Sequence, residues 1–161
     1  KQNKVARAKV LVALVPQLSG AARREMLARA LAATRAIADR KHQVKVFAAL
    51  LPQLEGDVRE RTLKEGLAAA RAIDDKQYQS EALFALLPHF SDMKTKEAVR
   101  SDLLVNISMV LRDTELQKRR TILRLLANQA FFDLKSFYTT QKEVACIAEA
   151  VVEVCWHWEW L

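Results

Sequence analysis

Glycine and proline are scarce in this sequence: three of each in 161 residues. Chains that fold as β-sandwiches or barrels need many tight turns, and those two residues supply most of them. An all-β fold is therefore excluded. Long apolar runs are lacking too. None approaches the roughly 20 residues a membrane-crossing helix requires. The glycines, Gly20, Gly56 and Gly66, are scattered. A phosphate-cradling loop needs them clustered so that backbone N–H groups can reach the phosphate, so nucleotide chemistry is not expected.

Metal-ligating and nucleophilic residues are equally sparse. His42, His89 and His157 lie far apart, and Cys155 and His157 fall on different faces of a helix. That spacing argues against a zinc site. Cys146 and Cys155 are nine residues apart, which at about 100° per residue puts them on opposite helix faces. They read as small buried hydrophobes of a reducing, cytoplasmic compartment. The adjacent carboxylates Asp74-Asp75 read as cap and turn residues. No catalytic residue, cofactor or metal is assigned, and the chain is expected not to be an enzyme.

What the sequence has in abundance is Ala, Leu, Arg, Lys and Glu, all good helix formers. It also has a repeat. Leu14-Val15-Pro16-Gln17-Leu18, Leu50-Leu51-Pro52-Gln53-Leu54 and Leu86-Leu87-Pro88-His89-Phe90 recur every 36 residues. Residues 4–40 laid on 40–76 match at 17 of 37 positions, including Gly20/Gly56, Arg23/Arg59, Arg35/Arg71 and Asp39/Asp75. A fixed period of this length marks an array of supersecondary units, each too small to bury its own apolar face.

Each unit reads as a short helix, a proline corner and a long helix. The short-helix stripe is Val10, Leu11, Leu14, Val15 in unit one. It becomes Val46, Phe47, Leu50, Leu51 and then Ala82, Leu83, Leu86, Leu87. Proline stops the short helix. Leu18, Leu54 and Phe90 plug the corner, and Ser19-Gly20, Glu55-Gly56-Asp57 and Ser91-Asp92 turn the chain. Long helices are expected over 21–37 and 57–73, with close-packing faces at Ala30, Ala33, Gly66, Ala69 and Ala70. Asp39 and Asp75 are placed as caps of the next short helix. The third unit fits after a two-residue insertion near Asp92–Glu97. A short helix near 115–127 has Leu126 where proline would stand, followed by Asn128-Gln129 and Phe131-Phe132. A last helix, 140–158, closes the chain. The expected fold is an all-α, αα-hairpin solenoid of HEAT- or TPR-like type with roughly eight helices. It forms one domain over 1–161, with repeats at about 4–39, 40–75 and 76–113 and a divergent half-repeat and cap at 114–161.

Leu67-Ala68-Ala69-Ala70-Arg71-Ala72-Ile73-Asp74-Asp75 followed by Ala82-Leu83-Phe84-Ala85-Leu86-Leu87-Pro88-His89-Phe90 resembles the degenerate helical arrays at the C-termini of bacterial STAND-type NTPases, the NACHT and NB-ARC-like proteins. Arg100-Ser101-Asp102-Leu103-Leu104 and the closing helix Ile147 to Trp156 extend the likeness over nearly the whole chain. The alternating Trp156, Trp158 and Trp160 depart from the adjacent tryptophans of that ending. The resemblance implies a sensor or regulatory arm of a larger signalling or defence protein, with the NTPase upstream. The N-terminus, Lys1-Gln2-Asn3-Lys4, agrees with a piece of a longer chain.

The partner expected is a protein or an upstream domain; no membrane partner is expected, and oligomeric state is left open. Charge supplies the alternative. Residues 1–49 carry 11 Lys/Arg against 2 Asp/Glu, while the whole chain is only +7. Such a basic patch attracts phosphate, so a nucleic-acid-binding module is the competing reading. Base-stacking aromatics are missing there: Phe47 is the only aromatic before Tyr78, and it lies on the apolar stripe. Candidate partner-binding residues are Arg23, Arg24, Arg29, Arg59 and Lys64 on the long helices, with Trp158 and Trp160 at the end. Arg35 and Arg71 recur in register and could extend a ladder on that face; the favoured expectation is that they pair within their own segments with Asp39 and Asp75, four residues on. Trp156 and Trp160 share a helix face, which suits either a cap on the last core layer or an exposed patch for a partner.

Overall fold

The computed structural model describes residues 2–112 and residue 121. Among these residues there are six α-helices and no strand. They are α1 (Gln2–Leu14), α2 (Gly20–Arg35), α3 (Arg40–Leu50), α4 (Gly56–Arg71), α5 (Lys76–Leu86) and α6 (Met93–Arg112). The protein is thus all-α, but the expected eight helices are not matched. The two that would complete the number, near 115–127 and 140–158, lie outside the described residues except for Thr121.

The helices pack as consecutive pairs, α1 with α2, α3 with α4 and α5 with α6. The short helices also touch in sequence, α1 on α3 and α3 on α5. Two apolar clusters fill the spaces between pairs. Ala8, Val12, Ala30, Leu31 and Ile37 of the first pair meet Val46, Phe47, Leu50 and Leu54 of the second. Val44, Leu51, Leu67 and Ile73 then meet Leu83, Leu86, Leu103 and Ile107. The middle short helix, α3, therefore has two apolar edges, one facing the pair before it and one, continued by Leu51, facing the pair after it. Gly66 of α4 lies between α3 and α5. A Cβ there would stand 3.4 Å from a Leu86 methyl and 3.7 Å from the Phe47 Cβ.

Local signals explain the element ends. Each short helix stops two residues before its proline, and the proline sits inside a 3-10 turn: Val15–Gln17, Leu51–Gln53 and Leu87–His89. Proline is tolerated at the start of such a turn because its missing N–H would have had no partner. The first two long helices then begin at Gly20 and Gly56, whose φ values are +57° and +54°. A side chain in that left-handed region is crowded by its own backbone, so glycine fits. Asp39 caps α3 by accepting from the His42 N–H at 3.1 Å, and Asp75 caps α5 through the Gln77 and Tyr78 N–H groups at 2.9 and 3.1 Å. Both caps were expected.

Two expectations are corrected here. The long helices end at Arg35 and Arg71, two residues earlier than the pattern suggests; Ala36 and Ala72 continue as a tight turn. The third corner holds one extra residue rather than two. Leu54 aligns with Phe90, but the α4 N-cap Glu55 aligns with Asp92, which leaves Ser91 as the insertion. No left-handed glycine stands at this corner. The chain turns with one more residue, and Asp92 caps α6 by accepting from the Thr95 N–H at 2.7 Å.

Candidate interaction surfaces

Repeated positions do repeated work between neighbouring pairs. The guanidinium of Arg35, at the end of α2, donates to both carboxylate oxygens of Glu65 on α4, at 2.8 and 2.9 Å. Arg71, 36 residues on, donates from Nε and from a terminal nitrogen to one oxygen of Asp102 on α6, at 2.9 and 2.7 Å. The expected pairing of these arginines with Asp39 and Asp75 is therefore overturned. Those aspartates are occupied as caps, and the arginines at the helix ends reach sideways to the next long helix. The Glu65 carboxylate raises the Arg35 pKa above its ordinary value, chiefly by hydrogen bonding.

A second repeated device was missed in the sequence. Gln43 and Gln79 are polar yet buried. Gln43 Nε2 donates to the carbonyls of Thr34 and Arg35 at 3.3 and 3.4 Å, and Gln79 Nε2 donates to the Arg71 carbonyl at 2.8 Å. The last carbonyls of a helix lack partners inside it, and these amides satisfy them. Asn106, also buried, donates to Gln79 Oε1 at 2.7 Å and ties α6 into the same network. A polar residue at one position of an apolar-faced helix in successive repeats was the available signal.

The candidate partner-binding residues separate into three groups. Arg59 is half-buried and donates to the His89 carbonyl at 2.9 Å, so it pins the corner of the next pair. Burial and the Arg59 charge together push the His89 pKa below the ordinary histidine value. Arg29 pairs with Glu25 at 2.5 Å and Lys64 with Glu60 at 2.7 Å, each four residues along its own helix. Lys64 holds the Glu60 carboxyl below the usual range. Arg23 and Arg24 make no ion pair among the described residues. Trp158 and Trp160 lie outside the described residues. The described candidates thus do not act alike: one holds a backbone carbonyl and two are paired along their own helices.

The outward stripe of the long helices carries Ala32 and Ala36, then Ala68 and Ala72, then Val105 and Met109, all exposed. The Arg35–Glu65 and Arg71–Asp102 pairs form rungs across it. On the short helices, Lys45 of α3 meets Glu81 of α5 at 3.4 Å, and the Lys41 ammonium stands 3.1 Å from the Tyr78 ring centre. A recess of about 330 Å³ opens at the amino-terminal end between α1 and α2, lined by Lys4, Arg7, Arg29, Ala32, Ala33 and Ala36.

Among the described residues no group of three His, Cys, Asp or Glu side chains could hold a metal ion, and no helix is long and apolar enough to cross a membrane. No protein-family model, curated protein or solved structure matches the chain.

Proposed function

We propose that this protein is a non-catalytic helical-repeat module, an αα-hairpin solenoid whose role is to recognise another protein. The observation that carries the reading is the recurrence of contacts at the repeat period. Equivalent arginines reach equivalent acids, equivalent glutamines hold equivalent helix ends, and equivalent apolar edges bury against the preceding pair. Units joined only to their neighbours extend as an array, and arrays present long side surfaces suited to binding. The resemblance of the repeat to STAND-type arrays supports a place as the sensor or regulatory arm of a larger cytoplasmic NTPase.

The basic first third is better suited to acidic protein surface than to nucleic acid. Stacking on bases needs exposed aromatic rings, and the only ring before Tyr78 is Phe47, which is fully buried. The deciding experiment is a fluorescence titration of the full chain with mixed single- and double-stranded DNA and RNA. At roughly physiological salt no binding at micromolar concentration is expected. Binding that weakens steeply with added salt, and weakens again in the Arg23→Glu/Arg24→Glu variant, would overturn protein recognition in favour of a nucleic-acid module.

A further inference from the structure

The amino-terminal end of the array is an unfilled copy of the contact that joins the first two pairs. Val46 and Leu50 are 2% and 0% exposed because the first pair covers them. Val10 and Leu14 occupy the same positions one period earlier and are 58% and 39% exposed. The polar half of the contact is also reproduced. Gln43 and Glu65 hold the end of α2, through its carbonyls and through Arg35. One period earlier stand Arg7 and Arg29, and both line the 330 Å³ recess together with Lys4. The recess is thus the space that, between the first two pairs, the end of a long helix fills.

Charge determines what fits. The carboxylate that receives Arg35 in the second pair is replaced in the first by Arg29, which pairs with Glu25 on its own helix, so that with Lys4 and Arg7 the recess carries a net positive charge. An arriving helix end with arginine at that place would meet a like charge; one with glutamate or aspartate would meet an opposite one. A helix C-terminus also carries partial negative charge on its free carbonyls, which suits Lys4 and Arg7. The ends of α2 and α4 in a second copy of this chain are not available as occupants, because the next pair of that copy already covers them and holds their arginines at Glu65 and Asp102. We infer that this end docks a partner helical hairpin with an apolar edge against Val10 and Leu14 and an acidic residue in the last turn of its long helix, against Arg29. The inference rests on the stacked-unit reading of the array.

The test adds a stand-in partner to the full chain. Residues 4–39 are repeated directly ahead of Lys4, which keeps the 36-residue period, in one version unchanged and in another with Arg35→Glu in the added unit. Thermal unfolding is read for each. The glutamate version is expected to melt above the arginine version by about 2–4 °C or more, the shift that a contact of about 1 kcal/mol produces in a chain of this size. Val10→Asp is expected to leave the midpoint of the unextended chain nearly unchanged and to lower that of the glutamate version by several degrees. Equal midpoints for the two versions, or a silent Val10→Asp in the extended chain, would overturn the docking proposal. Val46→Asp in the unextended chain separates the two levels. If it is silent, the stacked-unit reading itself fails; if it is strongly destabilising while Val10→Asp stays silent in the extended chain, only the docking proposal fails.

Discussion

The first and second helix pairs are two copies of one repeat, alike at 17 of 37 positions, in two different surroundings. They share Leu14/Leu50, Gly20/Gly56, Arg35/Arg71 and Asp39/Asp75. Their backbones agree closely: both corners are 3-10 turns around proline, and both long helices start on a left-handed glycine and run 16 residues. Their burial does not agree. The second pair has a neighbour on each side, and its short helix is apolar-buried on both edges. The first pair has a neighbour on one side among the described residues, and one edge of its short helix faces solvent. Conformation here is a property of the pair itself, whereas burial is a property of what packs against it.

The largest expected effect tests that difference directly. Leu50→Ala should cost about 2–5 kcal/mol, the range for emptying a filled core site. Leu14→Ala should cost less than about 1 kcal/mol, because the residue is already partly in water. Denaturant midpoints of the two variants measure both. Similar losses would remove the distinction between an end unit and an interior unit.

Glycine substitutions sharpen the other half of the comparison. Gly20→Ala and Gly56→Ala should each cost about 1–2 kcal/mol, since a left-handed φ is strained for any residue with a Cβ. The two losses should be alike, because strain comes from the local backbone rather than from neighbours. Gly66→Ala should go the other way, with a gain of up to about 1 kcal/mol from helix propensity. The added methyl meets Leu86 at ordinary contact distance, and the first pair already carries Ala30 at this position. A Gly66→Ala loss as large as that of Gly56→Ala would show that the layer cannot accept the methyl.

The rung between pairs should contribute less. A double-mutant cycle on Arg35 and Glu65 is expected to give a coupling of about 0.2–1 kcal/mol that fades with added salt, as for other half-exposed ion pairs. The Arg71–Asp102 cycle should give no more, because its two donors share one oxygen.

The smallest effect distinguishes the third corner from the first two. His89 stands where they have Gln17 and Gln53. Burial and Arg59 lower its folded pKa, so the folded state favours the neutral ring. Its stabilising contribution is therefore complete above the unfolded value of 6.5, and is lost as pH falls through that value towards the folded pKa. Thermal midpoints of the parent chain and of His89→Gln, taken from about pH 7.5 to about pH 5, should converge or cross as the parent loses this contribution. Parallel profiles would show that His89 does not titrate differently on folding.

Features within one helix or one corner were legible in advance. The 36-residue period, the proline corners and the caps Asp39 and Asp75 follow from residues within a few positions of one another. So do the apolar edges of α3 and α5. Features that join units were misread or missed. Arg35 has an aspartate four residues away, and the local rule favours that pair, yet the guanidinium goes to Glu65, 30 residues on. Gln43 gives no sign of its role within its own helix; only the end of α2, placed against it, does so. Arg59 reads as one rung of a binding surface, but it holds the next corner.

By itself, then, the sequence determined that this protein is helical, where its proline corners and the aspartate caps of α3 and α5 stand, and the length of its repeat. Those outcomes depend on backbone geometry and on side chains within a turn or two. The tertiary structure alone decided which of two equivalent leucines is buried, which acid an arginine meets, and that one extra residue replaces a glycine at the third corner. Each of these depends on which surface arrives from a neighbouring unit, and spacing along one chain segment carries no record of that arrival.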